Sequence, residues 1–298
     1  MPHWFLWTVA AMLAWGVWAV LAKVIGDSLT GAQSQILSSF GFLPVIFALC
    51  VSTKRLVRTG RRWGVMYALA AGAVSGLGNL PYYDLFRRGG KAAAVVPLTA
   101  LAPLVTVVLA VVVLRERLHR IQILGVALSL VAIYLFNGTS ETAEGSLISG
   151  WVVYALIPMA LWGLAGFLSK LATGHLSGEL AALLVLVGFV LVSGLMLISE
   201  PLPGEVSPRL WVLVVGQGLT LAFGNYAVVV AYSTGKASVI TPLAGLYMLV
   251  SVPVAVLFLE ETIEPREWVS LGCAVLAVVA LSFETPQPVA IGVEKSHP

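Results

Sequence analysis

Two asparagines stand inside apolar stretches that have little routine use for them. Asn79 closes the run "SGLGN" and Asn225 closes "LAFGN". A neutral amide offers two donors and an acceptor, so each can tie neighbouring helices together or grip a polar group of a solute. Trp15 and Trp162 each precede a glycine about ten residues into an apolar run, and Tyr82, Tyr83, Tyr226 and Tyr247 add further aromatic surface. Lys23 and Lys170 close the same two runs, where a long stem can reach the headgroups or meet an anionic solute. Asp84, in "PYYDLFRRGGK", has two competing uses: an ion pair with Arg87 or Arg88 along a helix, or proton carriage. His3, His119, His175 and His297 all fall in loops or termini, and no apolar run holds a central Asp or Glu. Acid–base pair, activated nucleophile and metal cluster are all missing, so neither an enzyme nor a cofactor is expected.

The elements that must position these residues follow from composition. Hydrophobic residues make up 59% of the 298 and charged residues only 10%. Soluble domains carry about 25% charged residues, so the expected solvent is the lipid bilayer. Ten apolar runs of helical length are expected near 4–25, 33–52, 63–86, 92–114, 119–136, 150–171, 179–199, 209–232, 237–259 and 267–283. The net charge of +3 gives no support to nucleic-acid binding, and Cys50 and Cys273 have no loop partner that would suggest a disulfide. Lys54, Arg55, Arg58, Arg61 and Arg62 crowd the loop 53–62, which places that loop, and with it both termini, in the cytoplasm.

The runs repeat. Lys91–Glu116 aligns without a gap to Lys236–Glu261, matching Lys, Pro97 with Pro242, and Glu at the end. "WG" with a lysine seven residues past the glycine occurs at Trp15 and again at Trp162. Gly78-Asn79 matches Gly224-Asn225, and "IQILGVAL" matches "WVSLGCAV". The domain reading is a first five-helix repeat over 1–137, a loop over 138–148, a second repeat over 149–283 and a disordered cytoplasmic tail over 284–298. Five is odd, so the second copy should sit inverted in the membrane. The segment after helix 4, "LRERLHR", is basic, whereas its twin after helix 9, "LEETIEPRE", is acidic, as opposite sides would require. Inverted repeats with a site between the halves are the recurring plan of secondary transporters.

Paired five-helix repeats with an early "WG" and a "P-L-x-x-L…LxE" fourth helix resemble the EamA-type branch of the drug/metabolite transporter superfamily. The resemblance covers residues 4–283. It implies an alternating-access carrier whose cavity is lined by helices 1, 3, 4, 6, 8 and 9, with Trp15, Asn79, Tyr83, Trp162, Asn225 and Tyr247 on a small-molecule substrate. One departure is an insertion at Pro265-Arg266, expected to lengthen an outer loop. Small multidrug resistance proteins of the same superfamily carry an acid in their first helix; "WTVAAMLAWGVWAV" has none.

Pro97 and Pro242 each remove a helical donor, leaving the carbonyls of Ala93 and Ser238 unpaired, and are expected to bend helices 4 and 9 for gating. Lys23 and Lys170 would be gate cations, and Asp84 the sole candidate for proton coupling. The expected function is export, uniport or exchange of a small metabolite across a bacterial-type cytoplasmic membrane, by a monomer or homodimer. A non-transporting membrane scaffold or sensor is the alternative.

Overall fold

The computed structural model describes residues 2–52, 61–114, 118–136 and 150–283. The inter-repeat loop, the 284–298 tail, most of the basic loop 53–62, and Glu116 lie outside the described residues.

Thirteen α-helices are found among them, numbered in chain order. The first repeat contributes α1 (His3–Ile25), α2 (Gly31–Ser38), α3 (Phe42–Ser52), α4 (Arg61–Arg87), α5 (Ala92–Thr99), α6 (Ala102–Leu114) and α7 (Arg120–Phe136). The second contributes α8 (Gly150–Thr173), α9 (Gly178–Met196), α10 (Pro208–Thr234), α11 (Ala237–Gly245), α12 (Met248–Phe258) and α13 (Pro265–Leu281). A single 3₁₀ turn, Ser39–Gly41, joins α2 to α3. Seven stretches are long and apolar enough to cross a membrane, and large apolar side chains such as Phe47, Val112, Ile198 and Phe258 face outward. That is the surface a bilayer wets, not one that water tolerates.

Helix starts follow local chemistry. Thr30 and Gln33 form a reciprocal capping box on α2. Ser177 and Ser207 accept from the third helical N–H of α9 and α10. Pro265 and Arg266, expected to lengthen a loop, instead open α13 behind a Glu264–Glu267 capping box. Proline suits that first turn because its missing N–H would be unpaired there anyway.

Helices 4 and 9 are interrupted, but not at their prolines. Pro97 and Pro242 both remain inside helices, α5 and α11. The breaks lie about a turn later, at Ala100–Leu101 and Leu246–Tyr247, where the backbone tightens into bonds to the third preceding residue. In the first repeat a second proline explains the position. Pro103 gives no N–H to Thr99, so a bond that would carry the helix through this point is missing. The second break has no such proline, and Gly245 sits at its start. A Cβ on Gly245 would come within 3.1 Å of the Ala100 carbonyl, so the two breaks touch.

Packing exchanges the halves. The extensive contacts are α1 with α10 and α4 with α8, which are the same pair of helices with the repeats swapped; α7 packs on its own counterpart α13. Glycines set the closest crossings. A Cβ on Gly218 would overlap the Ser38 carbonyl, and one on Gly72 would overlap the Val185 carbonyl. These two glycines are repeat counterparts, so one contact is used twice. Between apolar helices in lipid, such backbone proximity is the main source of association energy.

Gly72→Ala and Gly218→Ala should therefore each lower stability by roughly 2 kcal/mol or more, through overpacking against rigid backbone. Gly272→Ala, where an added Cβ meets nothing within 4 Å, should be neutral or stabilising by up to about 1 kcal/mol. Thermal unfolding of the three variants in detergent is the measurement.

Candidate functional site

The two "WG" and two "GN" motifs meet across the repeats. Trp15 Nε1 donates to Asn225 Oδ1 at 3.2 Å, and Trp162 Nε1 donates to Asn79 Oδ1 at 3.1 Å. The tryptophan of each repeat is thus answered by the asparagine of the other. The adjoining glycines make room for the indoles. A Cβ on Gly78 would lie 2.8 Å from Trp162 Nε1, and one on Gly224 would lie 2.5 Å from Trp15 Cδ1. An indole N–H can only donate, so both amide orientations are fixed with oxygen towards the indole.

The pairs are not equivalent beyond that bond. Asn79 Nδ2 donates to Tyr83 OH at 3.1 Å, and the same hydroxyl accepts from Trp18 Nε1 at 3.1 Å. In the second repeat the residue at Tyr83's position is Val229. The Nδ2 of Asn225 has no partner among the described residues, although Asn225 is only 7% exposed.

These residues enclose a cavity of about 100 Å³ between the halves. Trp15, Asn79, Trp162, Asn225 and Tyr247 line it, together with Trp18, Thr99, Tyr232 and Thr241. Trp15 meets Tyr247 edge to face at 6.3 Å between ring centroids. Tyr232 and Thr241 share a hydroxyl hydrogen bond of 2.8 Å. Tyr83 lies behind the wall, linked to the cavity through Asn79 and Trp18, and Pro97 is buried behind it too. Among the described residues, no charged side chain lines the cavity.

Asp84 lies apart from it. Its carboxylate accepts from Arg88 Nε at 2.7 Å and from Tyr154 OH at 3.1 Å, with Arg87 at 3.8 Å. It borders a second, more open depression that Arg88, Lys91 and Tyr154 line.

Lys23 belongs to a latch that joins the two repeats. Its Nζ donates to the Gly90 carbonyl at 2.8 Å and lies 3.4 Å from the Glu261 carboxylate. Glu261 in turn accepts from the backbone N–H of Ala92 and of Ala93, both at 2.9 Å. Lys91, the residue at the N-cap of α5, makes no side-chain cap. A carboxylate from the other repeat does the capping, where the helix dipole favours a negative charge. The approach depends on Glu260, which turns the chain with φ of 54°. On the counterpart helix of the second repeat, Lys170 Nζ donates to the carbonyls of Tyr232 and Gly235, both at 2.9 Å.

Sequence reasoning brought forward the tryptophans, asparagines and lysines, and the structure joins most of them. It gave Glu261 no role, although the shared Glu of "LxE" marked it as a residue both repeats retain. Thr99, Tyr232 and Thr241 carried no signal, since their repeat counterparts are Ala244, Phe86 or Arg87, and Val96.

Fold and site together define a multi-pass membrane protein built from two repeats wrapped around a shared cavity. The chain belongs to the EamA-like transporter family, whose model matches residues 3–138 and 149–283. It is also similar to an uncharacterized protein of Methanocaldococcus jannaschii, 28% identical over 124 residues. That alignment spans 88% of the relative but 41% of this chain, so the relative has the size of about one repeat. A solved crystal structure shares the fold over 92% of this chain and 94% of its own, with a TM-score of 0.65 and 17% identity.

Glu261→Ala leaves two buried N–H groups without an acceptor and should cost about 1–3 kcal/mol in stability. Glu261→Gln keeps one acceptor oxygen and should cost about half as much, while Glu260→Gly relieves a left-handed residue and should be worth up to about 1–2 kcal/mol. Unfolding temperatures in detergent, ranked Glu260→Gly, wild type, Glu261→Gln, Glu261→Ala, would bear this out.

Proposed function

We propose that this protein is an alternating-access secondary transporter, exporting a small organic metabolite across the cytoplasmic membrane. In this reading all ten helical rods cross the bilayer, the two repeats are inverted and both termini face the cytoplasm. The observation that carries it is the pair of crossed Trp–Asn contacts around the cavity between the repeats. A site shared equally between two interchangeable halves is what rocking of one half against the other would expose to each side in turn.

The latch supports the same reading. Lys23, Glu261 and the start of α5 join the two repeats on the side that the loop charges make external. Parting them would open that side. Lys170 and its carbonyl partners hold the corresponding place on the internal side. The breaks in helices 4 and 9, touching at Gly245 and Ala100, supply a place for the helices to flex. Pro97 and Pro242 would act by weakening the turn that leads into each break.

Energy coupling is best read as uniport or exchange. A cavity without a carboxylate offers no buried proton carrier, and Asp84 is already held by Arg88 outside it.

Single cysteines at the cavity-lining positions Ser75 and Ser169, with Cys50 and Cys273 replaced by serine, would test the reading. A membrane-impermeant thiol reagent added from each face in turn should find both positions from both sides. Glu261→Gln should raise labelling from the external face several-fold. Labelling from one face only, unmoved by Glu261→Gln, would overturn transport and favour a static scaffold.

A further inference from the structure

The cavity has an asymmetry that the repeats do not dictate. Asn79 and Asn225 are counterparts and each receives an indole N–H, yet Asn79 spends its own N–H on Tyr83 while Asn225 has Val229 at that position. Asn225 lines the cavity, and its Nδ2 is left without a protein acceptor among the described residues; that atom is itself covered, so a ligand oxygen reaches it when the side chain turns towards the space. A buried amide N–H without an acceptor is costly, and a ligand oxygen is what would relieve it. Also lining the cavity, the Tyr232–Thr241 pair needs only one of its two hydroxyl hydrogens for the bond between them, so the other can be donated. Both features ask for an acceptor and neither offers charge.

The rest of the wall sets shape and charge. Trp15, Trp162 and Tyr247 give aromatic edges and faces, and no carboxylate, lysine, arginine or histidine among the described residues lines the space. An ion placed there would lose its hydration and find no counter-charge. The volume of about 100 Å³ is of the same order as the roughly 150 Å³ apolar cavity that admits benzene in an engineered protein.

We infer that the cavity selects an uncharged, flat solute of about one ring that carries a carbonyl-type acceptor, with Asn225 Nδ2 as its specific donor. This rests on reading the cavity as the substrate site. It excludes carboxylates and ammonium-type cations as preferred ligands, even though Lys23 and Lys170 stand near the ends of the helices that carry Trp15 and Trp162.

Benzamide, benzoate and benzamidinium share one shape and differ in charge, so they separate these possibilities. Binding to the purified protein in detergent is measured by calorimetry and by shift in unfolding temperature. Benzamide should bind at least tenfold tighter than either ion. Asn225→Asp keeps an oxygen for Trp15 and replaces the free donor with a carboxylate. It should weaken benzamide at least tenfold and reverse the order in favour of benzamidinium. Should that variant not fold, Asn225→Thr keeps an acceptor for Trp15 and should lose benzamide without gaining the cation. Equal or tighter binding of an ion to the wild type, benzamide affinity unchanged by these substitutions, or no binding of any of the three would overturn the inference. Alternating cysteine exposure without a preference for benzamide would remove this assignment and leave transport standing. A benzamide preference with one-sided exposure would do the reverse.

Discussion

Lipid offers no hydrogen bonds, so every polar group within the apolar bundle must be answered by protein, by water in a cavity or by a ligand. The two indole N–H groups of Trp15 and Trp162 are answered by asparagines of the opposite repeat. That single requirement fixes which helices must adjoin. It brings α1 against α10 and α4 against α8, and it places two glycines where the indoles must pass. The cavity is the space these crossed contacts enclose.

The same rule accounts for the latch. Helix α5 begins beneath the surface with no side-chain cap of its own, and its first N–H groups would be unpaired without Glu261. A carboxylate so placed is held by two N–H groups, the helix dipole and Lys23 together. The contact is strong where it is dry. It gives water a ready replacement once the helix start is exposed, which suits a contact that has to break reversibly.

Departures from symmetry carry as much meaning as the symmetry. Counterpart residues Tyr83 and Val229 make one asparagine structural and leave the other with a donor to spare. The breaks in helices 4 and 9 occupy similar places, yet one has Pro103 to explain it and the other has only Gly245. Prolines alone would have located both breaks a turn too early, because Pro97 and Pro242 are each accommodated within a helix.

Much of this was legible in the chain. Apolar composition fixes the solvent and the helical class, since the polar backbone groups of a chain in lipid must bond to one another. The repeat is visible because Trp-Gly, Gly-Asn and the Lys–Pro–Glu spacing are improbable by composition alone. What spacing cannot express is which residues, far apart in sequence, share a place. Trp15 lies 210 residues from Asn225, and Glu261 lies 168 from Ala93. Those pairings come from helices packing to within backbone contact, so only the tertiary structure decided that the repeated motifs answer one another and that Asn225 keeps a donor free.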